Sequence, residues 1–234
     1  MCEESRFRRW ADTTISRRGF SAAGGAGLIA ACAPVAISGS PAGAIALRER
    51  PVRFASRDGT MDGFFVHPAA GKAPGVVFWP DIAGLREAKR IMARRLAAAG
   101  YSVLVLNPYY RDVAGERFSD FADFVAGEGF AKVKPWREKL DATAIMRDAA
   151  SAIAWLDAQD EVDAARRIGT QGYCMGGPFA VWTSAAVPAR VGAAASFHGG
   201  GLVRDGQSSP HRLMQQRTAY LIAIAQDDEA VAGL

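Results

Sequence analysis

From Pro51 onward, short apolar runs alternate with longer stretches of helical period. "VRFAS" and "GFFVHP", split by "RDGTMD" with its Asp-Gly pair, predict a β-hairpin. "PGVVFWP" is a near-continuous apolar run, the pattern of a strand covered on both faces. In "LREAKRIMARRLAAAGY", Leu85, Ile91, Met92, Leu96 and Ala99 fall on one stripe, with the arginines and lysine opposite and Gly100 as C-cap. That predicts an amphipathic helix, and "SVLVLNP" predicts the next buried strand. Residues 109–136 are the least regular, mixing aromatics, glycine and charge. They predict a short helix around 118–126 inside a long connection, with Trp136 and Phe130 as candidate pocket walls. From Arg137, "REKLDATAIMRDAASAIAWLDAQ" predicts a helix with Leu140, Ala144, Ile145, Ala149, Ala152, Ile153 and Leu156 inward. "RRIGTQGY" predicts a strand, Met175 to Ala186 a helix, and "VGAAASFHG" and "AYLIAIAQ" two more strands. Strands alternating with helices predict an α/β fold with a mostly parallel sheet, right-handed crossovers and an N-terminal antiparallel hairpin.

The first 44 residues read differently. Ile15 to Phe20 is "ISRRGF", paired arginines ahead of the low-polarity run "SAAGGAGLIAACAPVAI", the layout of a twin-arginine export signal. The apolar stretch from Gly19 to Ala33 is shorter than a bilayer crossing and holds several glycines, which argues against a transmembrane anchor. Ala42, Gly43 and Ala44 supply a small-x-small cleavage site. The expected organisation is therefore an export signal over 1–44 and one domain over 45–234, delivered to the periplasm. A competing site is "LIAAC", ending at Cys32, which matches the box at which bacterial lipoproteins are cut and lipidated. Its use would leave the protein lipid-anchored.

Half of the 234 residues are apolar, enough for a sizeable core. The net charge of +4 shrinks once the signal is set aside, because that region holds five arginines against three acids. The remainder carries 23 basic and 21 acidic side chains, with no Lys/Arg runs or interleaved aromatics. Such a balance gives no footprint for nucleic acid and points to a small-molecule partner.

Cys2 and Cys32 lie in the signal region, so Cys174, in "GYCMGG", is the one cysteine of the mature chain. No second cysteine remains for an intrachain disulfide, a zinc site or a redox cycle, and His67, His198 and His211 are not at ligand spacing from it. No metal site is predicted. Two readings remain: an inert cysteine among small residues that allow close packing, or a nucleophile. A strand that turns at once into a helix strains the residue at its tip and admits only small residues two positions either side. Gly172 and Gly176 occupy those positions, with Gly177 beyond. The helix predicted from Met175 aims its N–H groups at the thiol, favouring the thiolate, and the Met175 amide faces an oxyanion.

"GYCMGG" resembles the nucleophile elbow of the dienelactone hydrolase family, α/β-hydrolases with cysteine where most relatives use serine. "FWPDIAGLR" resembles the loop after the third strand of that family. The match implies that Asp81 is an acid beside the nucleophile, tuning its ionisation, and that the Ile82 amide is the second oxyanion donor. "LNPYYR" is similar to the segment after the next strand and implies that Arg111 meets a substrate carboxylate. "SFHGGGL" and "SSPHRL" also resemble larger or exported members. The resemblance runs over about residues 51–234 and implies an ester or lactone hydrolase that uses no cofactor.

A triad needs an acid and a base as well. In the fold's chain order the acid follows the strand "AYLIAIAQ", and Asp228 aligns better than Asp227 because Val231 supplies the hydrophobic residue the family places three positions on. The family's histidine lies well beyond its acid, whereas this sequence ends six residues after Asp228. The expectation is a C-terminally incomplete chain, short of the last helix, last strand and histidine loop. His198, at the carboxyl end of a strand, is the candidate substitute base; His211 reads as a loop or cap residue and His67 as a surface one. The alternative expectation is a catalytically impaired remnant or a non-enzymatic binding protein.

Overall fold

The hairpin forms from Leu47–Ser56 (β1) and Gly59–Pro68 (β2), joined by Arg57 and Asp58 alone. In β1 Val52 and Phe54 are buried while Arg53 and Ala55 face water, so one side of this strand meets the core. This is a computed structural model, and it describes residues 45–224. The expected export signal, Cys32, Asp227 and Asp228 lie outside the described residues. Gly75–Trp79 (β3) and Ser102–Leu106 (β4) are buried at every position, as their continuous apolar runs require. Ile168–Tyr173 (β5), Val191–Phe197 (β6) and Ala219–Ala223 (β7) complete a seven-stranded sheet of order β1-β2-β4-β3-β5-β6-β7. β2 is antiparallel to both neighbours, and from β4 to β7 every pairing is parallel. The expected α/β fold holds.

The helices differ in detail from the pattern. Helix α1 (Glu87–Ala98) does not turn the expected stripe inward: its buried residues are Lys89, Ala93 and Ala97, while Ile91 is 45% exposed. Two alanines on the inner line let the helix lie close to the sheet, and Lys89 finds a carboxylate partner described below. The connection over 109–136 holds two helices, α2 (Phe121–Ala126) and α3 (Gly129–Arg137), where one was expected. The helix expected from Arg137 starts later, as α4 (Ala142–Asp157), because the Asp141 carboxylate accepts from the Ala144 amide at 2.7 Å and caps it there. Its expected inward stripe is buried, together with Asp148. Helix α5 (Gly176–Ala186) follows β5 directly.

Two apolar clusters cover the sheet's faces: Phe65, Trp79, Leu104, Leu106, Ile145 and Leu156 belong to the larger, and Phe64, Val66, Phe78, Val103 and Ala93 to the smaller. Among the described residues no helix is long and apolar enough to cross a membrane. The register that matters for function pairs Trp79 with Gly172 and Gly172 with Ser196. The carboxyl ends of β3, β5 and β6 thus lie side by side, and the loops that leave them meet at one sheet edge, where open α/β sheets build sites.

Candidate active site

Cys174 sits between the last residue of β5 and the first turn of α5 with φ of 53°, in the left-handed region. For a residue with a Cβ this costs on the order of 1 kcal/mol or more, so the surroundings must impose it. They do: the Cys174 amide donates to Phe197 O at 3.0 Å, and its carbonyl accepts from the Gly177 amide at 2.9 Å. The glycines are demanded by contact. A Cβ on Gly172 would fall onto the carbonyl of Gly176, and one on Gly176 would lie 2.6 Å from Pro80 O and 2.7 Å from Trp79 O. The ends of β3 and β5 and the start of α5 are therefore in backbone contact. Trp79 Nε1 ties β3 to α5 by donating to Thr183 Oγ1 at 2.9 Å.

The loop after β3 brings Ile82 and Ala83 into the core. One side chain absent from the expected site residues links this loop to the elbow. The hydroxyl of Tyr109, beyond the end of β4, donates to Ile82 O at 2.7 Å and lies 3.5 Å from Met175 Sδ. The two residues expected to supply oxyanion amides are bridged by one buried phenol. Burial pushes that phenol's pKa up, so it remains a donor. Trp136 of α3 packs against the Tyr109 ring at 5.5 Å between centroids.

Charge beside the elbow is concentrated in three residues. Asp81 accepts from Arg86 Nη1 at 2.7 Å and Arg86 Nη2 at 2.8 Å, pairs with Lys89 Nζ at 2.7 Å, and accepts from the Ala83 amide at 3.0 Å. Burial opposes ionisation of Asp81, but the guanidinium and the ammonium overcome it and hold the carboxyl below its usual range. Burial pulls the Lys89 pKa down, partly offset by Asp81 and by a smaller attraction to the Cys174 sulfur. The helical stripe had put this lysine on the solvent side.

Comparison with known proteins decides the family. The profile of the Dienelactone hydrolase family matches residues 61–233. The chain belongs to the dienelactone hydrolase family. Among solved structures it is similar to m3DLH at 28% identity and TM-score 0.61, over 80% of this chain and 75% of that one. It also resembles a dienelactone hydrolase-like promiscuous phosphotriesterase from metagenomic libraries, at 22% identity and TM-score 0.56, over 77% and 82% of the two chains. A cold-adapted esterase from an Arctic intertidal metagenomic library aligns at 22% identity and TM-score 0.52, over 80% and 79%. No curated protein matches the sequence. Membership makes this chain an ester hydrolase.

In this dienelactone hydrolase relative the remaining predicted residues fall in different places. Arg111 donates two bonds of 2.8 Å to the buried Asp148 of α4 and one of 2.6 Å to Asp58 in the hairpin turn, with its guanidinium 4.6 Å from the Tyr110 ring. Those donors bind the scaffold together. Phe130 packs on Phe124, 4.8 Å between centroids, inside the α2–α3 cluster. His198 is exposed just after β6, with φ of 45°, and follows the Phe197 carbonyl that accepts from the Cys174 amide. His211 is in a 3₁₀ turn with Nδ1 2.7 Å from Ser209 Oγ, a loop position as expected. His67 is not on the surface: it is 2% exposed, stacked on Phe65 at 5.2 Å with Arg50 and Glu161 over it. The hairpin end is sealed by the chain after α4, which periodicity does not reveal. Asp228 lies outside the described residues.

Proposed function

We propose that this protein hydrolyses an ester or lactone of a small carboxylic acid by nucleophilic catalysis, with Cys174 as nucleophile and a thioester intermediate. The observation that carries the reading is the placement of Cys174: a non-glycine residue at φ 53°, at the tip of a strand-helix turn, beside the loop that holds Ile82. The thiolate attacks the substrate carbonyl, and the amides of Ile82 and Met175 receive the developing oxyanion. The tetrahedral species collapses as the C–O bond breaks, the alkoxide takes a proton, and the acyl group stays on sulfur. Water then attacks the thioester, the C–S bond breaks, and the acid leaves with the thiolate restored. None of these steps calls for a cofactor. Asp228 serves in this proposal as the triad acid because it follows the strand "AYLIAIAQ" and has Val231 three positions on. His198, whose backbone adjoins the elbow, is the proposed substitute base. Asp81 acts on the thiol's ionisation, and export to the periplasm, or anchoring at Cys32, follows from residues 1–44.

The test is hydrolysis of p-nitrophenyl acetate and of a small unsaturated lactone by the full chain and by Cys174→Ala. Loss of about 10³-fold or more in kcat supports the reading, since triad members act as a unit. Unchanged turnover in the variant contradicts it.

A further inference from the structure

The peptide between Ile82 and Ala83 is gripped at both ends. Its carbonyl accepts from the Tyr109 hydroxyl at 2.7 Å, and its N–H donates to Asp81 Oδ1 at 3.0 Å. The preceding peptide carries the Ile82 N–H, and its carbonyl, on Asp81, accepts from the Gly84 amide at 2.9 Å. These bonds set both peptide planes and leave the Ile82 N–H itself unused. Neither that amide nor the Met175 amide donates to an acceptor among the described residues. Of the bonds that shape this loop, the Tyr109 bond is the one that reaches in from another part of the chain, and the same hydroxyl lies 3.5 Å from Met175 Sδ.

The phenol is placed in turn by α3. The Tyr109 amide donates to Asn107 Oδ1 at 3.0 Å, which fixes the backbone after β4, but the ring can still turn about its side-chain bonds. It rests on the half-buried ring of Trp136, 5.5 Å between centroids. Helix α3 is itself locked to α2. The buried Phe124 ring meets Phe118, Phe121 and Phe130 at 5.0, 5.4 and 4.8 Å, and a Cβ on Gly129 would collide with it.

We propose that Tyr109 and Trp136 are positioning residues for the reaction: Trp136 holds the phenol, and the phenol holds the loop after β3 so that the Ile82 N–H meets the oxyanion together with the Met175 N–H. The inference rests on Cys174 being the nucleophile and adds how the oxyanion donors are kept in aim. Neither side chain makes or breaks a bond. A donor stabilises a developing oxyanion only if it already points where the charge appears; loss of one such donor costs about 10²–10³ in kcat, and a misaimed one forfeits part of that. The long excursion over 109–136 thereby acquires a role in turnover through a single aromatic contact.

The experiment compares the full wild-type chain with Tyr109→Phe, Trp136→Leu, Trp136→Phe and the Tyr109→Phe/Trp136→Leu double variant. Three quantities are read: kcat and KM for p-nitrophenyl acetate, inhibition by trifluoroacetophenone, and the rate of iodoacetamide alkylation at Cys174. The adduct of the ketone with the thiolate carries an oxyanion, whereas alkylation displaces iodide and develops none. Tyr109→Phe and Trp136→Leu are each expected to lose about tenfold in kcat and in affinity for the ketone, with KM and alkylation little changed. The double variant should also lose about tenfold instead of about a hundredfold, because both residues act through one contact, and Trp136→Phe should regain most of the loss. Wild-type kcat and ketone affinity in Tyr109→Phe, which removes a single oxygen, overturns the proposal. Additive losses in the double variant, or alkylation slowed as much as kcat, overturn it as well. Unchanged turnover in Cys174→Ala refutes the nucleophilic reading itself; lost turnover there beside an unaltered Tyr109→Phe refutes this inference alone.

Discussion

Asp81 and Asp148 each meet cations away from bulk water, and they end in opposite states. Asp81, beside the elbow, is surrounded by Arg86 and Lys89 and is held below the usual carboxylate range. Asp148, in α4, is fully buried, accepts from Tyr110 at 2.7 Å and from Arg111, and is nevertheless pushed up by burial. The difference lies in how the cations are shared. Arg111 divides its donors between Asp148 and Asp58, and Arg147 also serves Asp58, so two cations meet two anions. Around Asp81 two cations meet one anion, and the Lys89 ammonium stands 5.0 Å from the Tyr173 ring. The Asp148 network clamps the hairpin turn to α4, whereas the Asp81 network ties the loop after β3 to α1 with its carboxylate held ionised.

The largest effect is expected at Arg111. Arg111→Met leaves the Asp148 carboxylate buried with Tyr110 as its remaining strong donor and is expected to cost about 3 kcal/mol, read from urea midpoints, with kcat per folded molecule little changed. A variant of unaltered stability whose KM rises sharply would instead assign Arg111 to a substrate carboxylate. A smaller effect is expected from Asp81→Asn, about 2 kcal/mol at pH 6. Because the folded-state pKa of Asp81 lies below its ordinary 3.8, its contribution is present above that value and fades as pH falls below it. The gap between wild type and Asp81→Asn in urea midpoint should therefore narrow from pH 6 to pH 3; a constant gap would mean that Asp81 is not held ionised by its cations. Smaller again is Tyr109→Phe, which removes the hydroxyl bridging Ile82 O and Met175 Sδ. Ester turnover should fall about tenfold with KM little changed. Unchanged turnover would mean that this hydroxyl does not hold the two expected oxyanion donors in place.

The sheet was readable in advance because strands buried on both faces, such as β3 and β4, need unbroken apolar runs. The elbow was readable because backbone contact leaves only glycine at 172 and 176. Lys89 was not, since a lysine on a helix is solvated unless a carboxylate distant in space takes it, and that pairing depends on how the loop after β3 folds. Tyr109 was hidden for a similar reason: "NPYYR" puts two tyrosines in a row, and the fold alone decides that one reaches Ile82 while the other reaches Asp148. Arg111 shows the converse, a motif position whose donors the tertiary structure directs to Asp58 and Asp148.

The central claim is covalent, so its most direct test is the intermediate itself. The full chain is mixed with p-nitrophenyl acetate, quenched in acid within the first turnovers, and its intact mass and peptides are measured. The account predicts one acetyl group, labile to hydroxylamine as a thioester is, on the peptide of Cys174 and absent from Cys174→Ala. Hydrolysis that proceeds with no adduct on that peptide, or with the acetyl group on another residue, would contradict it.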